Sequence, residues 1–316
     1  MLTASVIVPA RNAQRTLGRT LGALAGQRLD GAFEVLVVDD GSTDDTASVA
    51  RAARGPVRVL EQPQRGPAAA RNLGVARSSA PLLAFCDADV FPTPGWLQAG
   101  VDALGAADLV QGRVLPDPLA RPGPFDRSLW ISGLAGLWEA ANLFVARELF
   151  TRVGGFAEWI RPRVGKPIAE DVWFGYRALE LGAMPAFSEL ALAHHAVFER
   201  DWRGYVAERR RLAYFPAIAR RMPELRREFL YRRAFLDRRS AMLDLALLGG
   251  LTALLTRSPL PLVAVVPYLG PLRAHSQRAR PAGPRAGAVA AADLLADLVG
   301  LGAMASGSVR ARSLVI

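Results

Sequence analysis

A chain of 316 residues with 51% hydrophobic content and a net charge of +10 has room for one large or two medium domains around a sizeable core. Its single cysteine, Cys86, excludes an internal disulfide and suits a reducing compartment. Nearly all the positive charge is arginine (Lys166 is the only lysine), so basicity alone does not argue for nucleic-acid binding, while the hydrophobic excess points to membrane contact somewhere.

Ser5-Val6-Ile7-Val8 is a β-branched run stopped by Pro9, and the chain enters it without a basic region, so no signal peptide is expected. Ala10 and Arg11 follow, and a helical pattern over residues 13–26 sets Leu17, Leu21 and Leu24 on one face. Residues 33–38 read as a second buried strand ending in Asp39-Asp40-Gly41-Ser42-Thr43, where Gly41 permits a tight turn and Ser42 or Thr43 caps a helix reaching about residue 54. Residues 57–60 predict a third strand, and Gly66-Pro67 opens a helix over residues 68–77 that bears Arg71.

The next stretch, LLAFCDADV at residues 82–90, organises the rest. A charge-free apolar run between Pro81 and Pro92 predicts a buried parallel strand with Asp87 and Asp89 at its C-terminal end, and Phe91 to Pro94 is expected to stop regular structure. Open α/β sheets place ligands at such ends. Two carboxylates there suit Mg²⁺ or Mn²⁺, which fills its other positions with water and phosphate oxygens. Four strands alternating with helices indicate parallel βαβ units, and no G-x-G-x-x-G follows the first strand.

Downstream, Glu170-Asp171 begins a helical pattern with an apolar side, and His194-His195 ends an apolar run at residues 190–193. Neighbours on a strand face opposite ways, so at most one of these histidines points into a site, and His195 is preferred. Twelve arginines lie between residues 203 and 239, with pairs beginning at 220, 226, 232 and 238. A six-residue step turns an α-helix by about 240° net, so the pairs cannot share one face. Interleaved with aromatic and leucine residues, they suit an anionic membrane surface, with nucleic acid a poor second. The apolar segments 241–256, 259–272 and 286–307 are short or interrupted by Asp244, Asp293, Asp297 and prolines. They read as interfacial or re-entrant helices, or as a packed helical appendage. Residues 276–284 read as an exposed connector.

Taken together, SVIVPARNAQRTL, VVDDGSTDDT, RGPAAARNLGV and FCDADV, in this order, resemble family 2 glycosyltransferases of the GT-A fold. Asn142-Leu143-Phe144-Val145 with Gly154-Gly155-Phe156, and Glu170-Asp171 with Arg177, are similar to that family's acceptor-side segments. The resemblance implies a GT-A domain over residues 1–215, its nucleotide-sugar half at 1–112 and its acceptor half at 113–215, before a helical region at 216–316. It implies an inverting transfer of one sugar from a nucleotide-diphosphate sugar to an acceptor hydroxyl on a glycan or lipid carrier. The Q-x-x-R-W signature of processive synthases is absent, and Arg209 to Tyr214 occupies that region.

Carried onto this sequence, the resemblance makes Asp89 the metal ligand and Asp87 a contact to the ribose or a metal-bound water, while His195, an imidazole at a strand end, would complete the metal shell or touch the diphosphate. Asp40 would accept from N3 of the base. Asp39 would support the ribose or the turn, Pro9, Ala10 and Arg11 would line the base and ribose pocket, and Gly66 would border it. Arg71 would reach a phosphate or brace Asp87. Asp171 would be the catalytic base and Glu170 its positioning partner, although an acidic pair here also complements a helix dipole. The expected location is the cytoplasmic face of the cell membrane. Two other readings are a phosphatase of the haloacid dehalogenase type, which usually puts its D-x-D strand first, and a non-catalytic, membrane-bound nucleotide-binding scaffold.

Overall fold

The computed structural model describes residues 2–160, 169–223, 225–278 and 284–315, and the side chains of all of these except Glu228, 274–278, 284 and 285. Two compact units emerge, residues 1–121 with 128–197 and residues 122–127 with 198–316. The boundary at 197/198 lies upstream of residue 215.

The first unit contains β1 (Leu2–Ala10), α1 (Leu17–Ala25), β2 (Ala32–Asp40), α2 (Thr46–Arg51), β3 (Val57–Gln62), α3 (Pro67–Ala76), β4 (Leu82–Cys86), β5 (Val90–Pro92), α4 (Trp96–Leu104), β6 (Leu109–Pro116), β7 (Asn142–Ala146), α5 (Arg147–Val153), α6 (Glu170–Glu180) and β8 (Pro185–His195). One sheet runs β3-β2-β1-β4-β7-β6-β8-β5. β1, β2, β3 and β4 pair in parallel, as do β6 and β8, whereas β7 is antiparallel to both its neighbours and β5 to β8. The central strands are mostly apolar because helices cover both faces. Alternation along β1 sends Val6 and Val8 into a core with Leu17, Leu21 and Trp96, and Ile7 into the opposite core with Phe150, Phe156 and Phe174. Strand order reverses beside β1, with β2 on one side and β4 on the other. The crevice at these C-terminal ends is where such sheets hold ligands.

Three expectations change here. Helix α1 begins at Leu17 and not near residue 13, because residues 12–14 give their amides to the loop after β2. The apolar run at 82–90 is not one strand: β4 stops at Cys86, Asp87-Ala88-Asp89 makes a turn, and the chain re-enters the sheet. Regular structure therefore continues through Pro92, which the edge position of β5 tolerates.

Asn142 ties the antiparallel part together. Fully buried, it donates to the carbonyls of Arg113 (2.9 Å) and Ala191 (2.8 Å) and accepts from Trp96 Nε1 (2.8 Å). Gly112 leaves it room, since a Cβ there would lie 2.3 Å from Asn142 Nδ2.

The second unit is helical: α7 (Trp202–Glu208), a 3-10 turn at Arg209–Tyr214, α8 (Phe215–Arg221), α9 (Leu225–Glu228), α10 (Arg238–Thr256), a second 3-10 turn at Leu260–Val265, α11 (Val266–Arg278) and α12 (Pro284–Ala311). Helix α10 opens on a capping box in which Asp237 accepts from Ser240 N and Ser240 Oγ accepts from Asp237 N. The expectation of short, broken apolar segments holds for Leu260–Arg273 and is corrected for the other two. Arg238–Thr256 and Ala286–Ala311 are each long and apolar enough to cross a membrane by length and composition. The acids in α12 do not interrupt it, because they have partners: Asp293 accepts from Tyr205 Oη (2.8 Å), and Asp297 from Arg239 Nε (2.7 Å) and Tyr268 Oη (2.6 Å).

The arginine pairs are also only partly a surface feature. Arg220 donates to the Ala311 carbonyl, Arg226 to the carbonyls of Arg233 and Leu314, and Arg239 to Asp297, so three of the four pairs contribute a side chain to internal bonding. The connector expected at 276–284 is still α11 as far as Arg278, and residues 279–283 lie outside the described residues.

Asn142→Leu strands one indole N–H and two carbonyls in the core. The expected loss is about 3–5 kcal/mol, read as a lower urea midpoint with an unchanged slope.

Candidate active site

The loops at the crevice hold one another before any ligand arrives. Asn12, in the left-handed region at φ +51°, accepts from Thr43 N through Oδ1 (2.9 Å), while its own N–H donates to Ser42 Oγ (3.0 Å). Ala13 N donates to Thr46 Oγ1 (2.7 Å), and Asp45 N donates to Gln14 Oε1 (3.0 Å). The β1 and β2 loops therefore form one hydrogen-bonded body. Pro9 is half-buried and Ala10 buried at the end of β1, with Arg11 exposed beside them.

Both acids that end β2 are buried. Asp39 accepts from Ser42 Oγ and, at 3.4 Å, from Ser42 N, so it closes the turn around Gly41. That turn needs glycine: φ is +68°, and a Cβ would sit 2.9 Å from Gln64 N. Asp40 accepts from Gln62 Nε2 (2.7 Å), Arg65 N (2.7 Å) and Gly66 N (2.8 Å). Gly66, at φ +95°, starts α3 with Pro67 in its first turn.

Three bonds fix the Asp87-Ala88-Asp89 turn. Thr20 Oγ1 donates to the Ala88 carbonyl (3.0 Å), Val90 N to the Asp87 carbonyl (3.1 Å) and Ala196 N to the Asp89 carbonyl (2.9 Å). Beneath it, burial and the charges of Asp87 and Asp89 push the Cys86 thiol well above its usual range, so it stays protonated. Across from Asp89, the His195 ring is buried with Nε2 3.7 Å from Asp89 Oδ2. Its Nδ1 lies 2.6 Å from the Ala196 carbonyl, and a carbonyl only accepts. Nδ1 therefore donates to that carbonyl, which turns Nε2 toward Asp89. His194, on the opposite face of β8, lies near Asp117 and Arg19, and partial burial lowers its pKa.

Arg71 joins the two halves of the site. Its guanidinium is buried, with Nη2 2.7 Å from Asp87 Oδ1 and Nη1 3.3 Å from Glu170 Oε1, and it lies 5.4 Å from the Phe156 ring centre. Asn72, next on α3, clasps the Phe156 backbone through both amide atoms, at 2.9 Å each. Glu170 and Asp171 form the first turn of α6, whose preceding residue Ala169 sits at φ +70°. Burial and the negative charge of Glu170 push Asp171 up to about 8, against the opposing charge of Arg71 and a bond from Val172 N.

The sequence-predicted acids thus lie at the C-terminal end of β2, in the turn after β4 and at the start of α6, with Arg71 reaching them from α3 and His195 from the end of β8. Glu139 was missed: burial raises its pKa, and its charge is close enough to raise Asp171 further. Thr20 was missed too, since a threonine inside an amphipathic helix carries no signal of its own. Among the described residues, no group of three or more His, Cys, Asp or Glu side chains is arranged to hold a metal ion. Asp89 and His195 nonetheless make a fitting two-residue set. One is a hard carboxylate, the other an imidazole with Nε2 turned toward it, and positions remain open for phosphate oxygens.

A parallel half-sheet with acids at its switch point, extended by an antiparallel half that returns a second pair of acids, is the arrangement of the GT-A nucleotide-sugar transferases. Residues 5–155, just under half of the chain, match the model of glycosyl transferase family 2. Succinoglycan biosynthesis protein ExoU of Rhizobium meliloti is 47% identical over 96 residues, covering 29% of this chain and 28% of that protein. Glycosyltransferase AglE of Haloferax volcanii is 40% identical over 117 residues, 35% of this chain and 38% of its own length. Pre-mycofactocin glycosyltransferase of Mycobacterium tuberculosis is 31% identical over 225 residues, 63% of this chain and 44% of that protein. The chain therefore spans well under two thirds of each relative's length. Mannosyltransferase PcManGT of Pyrobaculum calidifontis, solved with GDP-Man and Mn²⁺, shares the fold with a TM-score of 0.54 at 21% identity, over 98% of this chain and 86% of that one.

Arg71→Met leaves Glu170 buried without its cation. Stability is expected to fall by about 3–5 kcal/mol in denaturant unfolding, and Asp171 should titrate higher by carboxyl NMR, because the charge opposing its rise is gone.

Proposed function

We propose that the first unit transfers a single sugar, with inversion, from a nucleotide-diphosphate sugar to an acceptor hydroxyl, aided by Mn²⁺ or Mg²⁺. The observation that carries this reading is the Arg71 bridge. One guanidinium touches Asp87 of the donor-side turn and Glu170 beside Asp171, so donor and acceptor chemistry meet within a side chain's reach.

Asp40 receives the base, Asp39 keeps the turn, and Pro9, Ala10, Arg11 and Gly66 border the nucleoside. Asp87 faces the ribose, oriented by Arg71. Asp89 and His195 hold the cation, which when bound offsets the charge that develops on the diphosphate. Asp171 takes the proton from the acceptor hydroxyl while that oxygen bonds to the anomeric carbon. The electron pair of the breaking glycosidic bond leaves with the diphosphate on the opposite face. A carboxylate raised toward working pH is a stronger base than an ordinary aspartate, and Glu170, fixed by Arg71, sets its position. Arg209 to Tyr214 in place of Q-x-x-R-W favours single transfer over polymerisation. The naming of a relative for succinoglycan biosynthesis supports an envelope glycan or lipid-linked acceptor at the cytoplasmic membrane face.

Asp171→Asn should keep donor affinity and lose on the order of 10²-fold or more in turnover. Near-normal turnover at saturating acceptor would move the base role to Glu170. In the unaltered protein kcat/KM should climb with pH toward the Asp171 value of about 8, because only the ionised carboxylate accepts a proton. Below that value the fall should be about tenfold per pH unit.

Asp89→Asn should abolish the gain in donor binding that Mn²⁺ gives, measured by calorimetry across UDP-, GDP- and dTDP-sugars. Unchanged Mn²⁺-dependent affinity would remove the ligand role, and phosphate release without sugar transfer would point to a phosphatase.

A further inference from the structure

Residues 245–272 contain one charged side chain, Arg257. Arginine pairs at 226, 232 and 238 precede this stretch, and Arg273, Arg278, Arg280 and Arg285 follow it. It folds back on itself. Helix α10 ends at Arg257 in the left-handed region (φ +52°), and prolines 259 and 261 lead into the second 3-10 turn and α11. The two legs pack closely at Gly249, where a Cβ would lie 2.6 Å from both the Pro261 carbonyl oxygen and Ala264 Cβ. At the base the hairpin is pinned by polar groups, since Arg239 of α10 and Tyr268 of α11 both donate to Asp297 of α12.

The far end is different. Leu254, Leu255, Leu260 and Val263 are 72–79% exposed, and Leu248, Leu251 and Val266 more than half exposed. On α10 the exposed leucines cover about half the circumference, and the return leg adds its own outward face. A second protein chain would cover one side of such a tip. Immersion covers all of it. Apolar surface on this scale marks an interaction site, and its segregation from flanking arginines suits an apolar layer beneath a negatively charged surface.

We propose that the α10–α11 hairpin inserts tip-first into an anionic bilayer without crossing it, both ends remaining on the arginine-rich side. From Leu243, level with Tyr268 in the apolar cluster at the base, to Arg257 is about 21 Å of helix, short of the roughly 30 Å hydrocarbon layer. Helix α12 belongs to the folded unit, since its Asp293 is fully buried on Tyr205 and arginines cap its end. The proposal deepens the membrane-face reading, and its test uses no sugar donor, so its failure leaves the transferase reading standing.

The test is flotation of the full chain with phosphatidylcholine–phosphatidylglycerol vesicles, beside the triple variant Leu254→Glu, Leu255→Glu, Leu260→Glu. These side chains are exposed, so the fold should survive, as circular dichroism will report. The unaltered protein should float, persist in part at high salt, and lose roughly tenfold or more of its bound fraction in the triple variant. On Arg257→Cys, a membrane-impermeant maleimide enclosed in the vesicle lumen should not react, and the buried Cys86 stays silent. Recovery of the unaltered protein as a discrete vesicle-free oligomer, flotation of the triple variant at full strength, or labelling from the lumen would each overturn the proposal.

Discussion

A buried arginine shared between two carboxylates holds this site together. Removing the Arg71 guanidinium from water is expensive, and the return comes only because Asp87 and Glu170 meet its two ends while the Phe156 ring lies beside it. Those partners arrive from the turn after β4 and from α6, the first 16 and the second 99 residues beyond Arg71 in the chain. The sheet order makes the meeting possible: β7 runs back beside β4, and α5 and α6 follow from it on the face that α3 also covers. Donor-side and acceptor-side motifs are thus coupled through one group, so a change at either end is felt at the other.

The same pairing explains how a plain aspartate acquires the character of a base. Arg71 fixes Glu170 beside Asp171, and burial together with the negative charge of Glu170 raises Asp171. Strength as a base is therefore a property of three residues. Glu139 adds to it from a segment far from α6 in sequence.

Local patterns made much of the parallel half legible, because a buried parallel strand is a charge-free run and its end is marked by acids, glycine or proline. Asp39, Asp40, Asp87 and Asp89 could be read in this way. The antiparallel half was not legible as structure. β5 is three residues long and contains a proline, and Asn142 looks like an ordinary polar residue until its three partners from β6, α4 and β8 surround it. Arginine misled in the second unit for a related reason. A run of cations looks like a charged surface, yet five donors per guanidinium make it equally good at closing helix ends, as Arg220 and Arg226 do for α12 and the chain beyond it. Asp293 and Asp297 seemed to break a helix only because Tyr205, Arg239 and Tyr268 were invisible beside them.

The three hydrogen bonds on Asp40 carry a consequence for choice of nucleotide. A carboxylate has four lone-pair positions and, when ionised, accepts only. Gln62 and Arg65 fill both positions on Oδ1, and Gly66 fills one on Oδ2. In the proposed role a single acceptor position is left for the base. Uracil, thymine and guanine present a ring N–H that matches it. Cytosine and adenine present a bare ring nitrogen, which sets lone pair against negative charge unless the base turns to offer its exocyclic amine. In that role the Gln62 side chain and the backbone of the β3–α3 loop would act as a filter on protonation pattern: by occupying the other positions, they leave the base one way to be read.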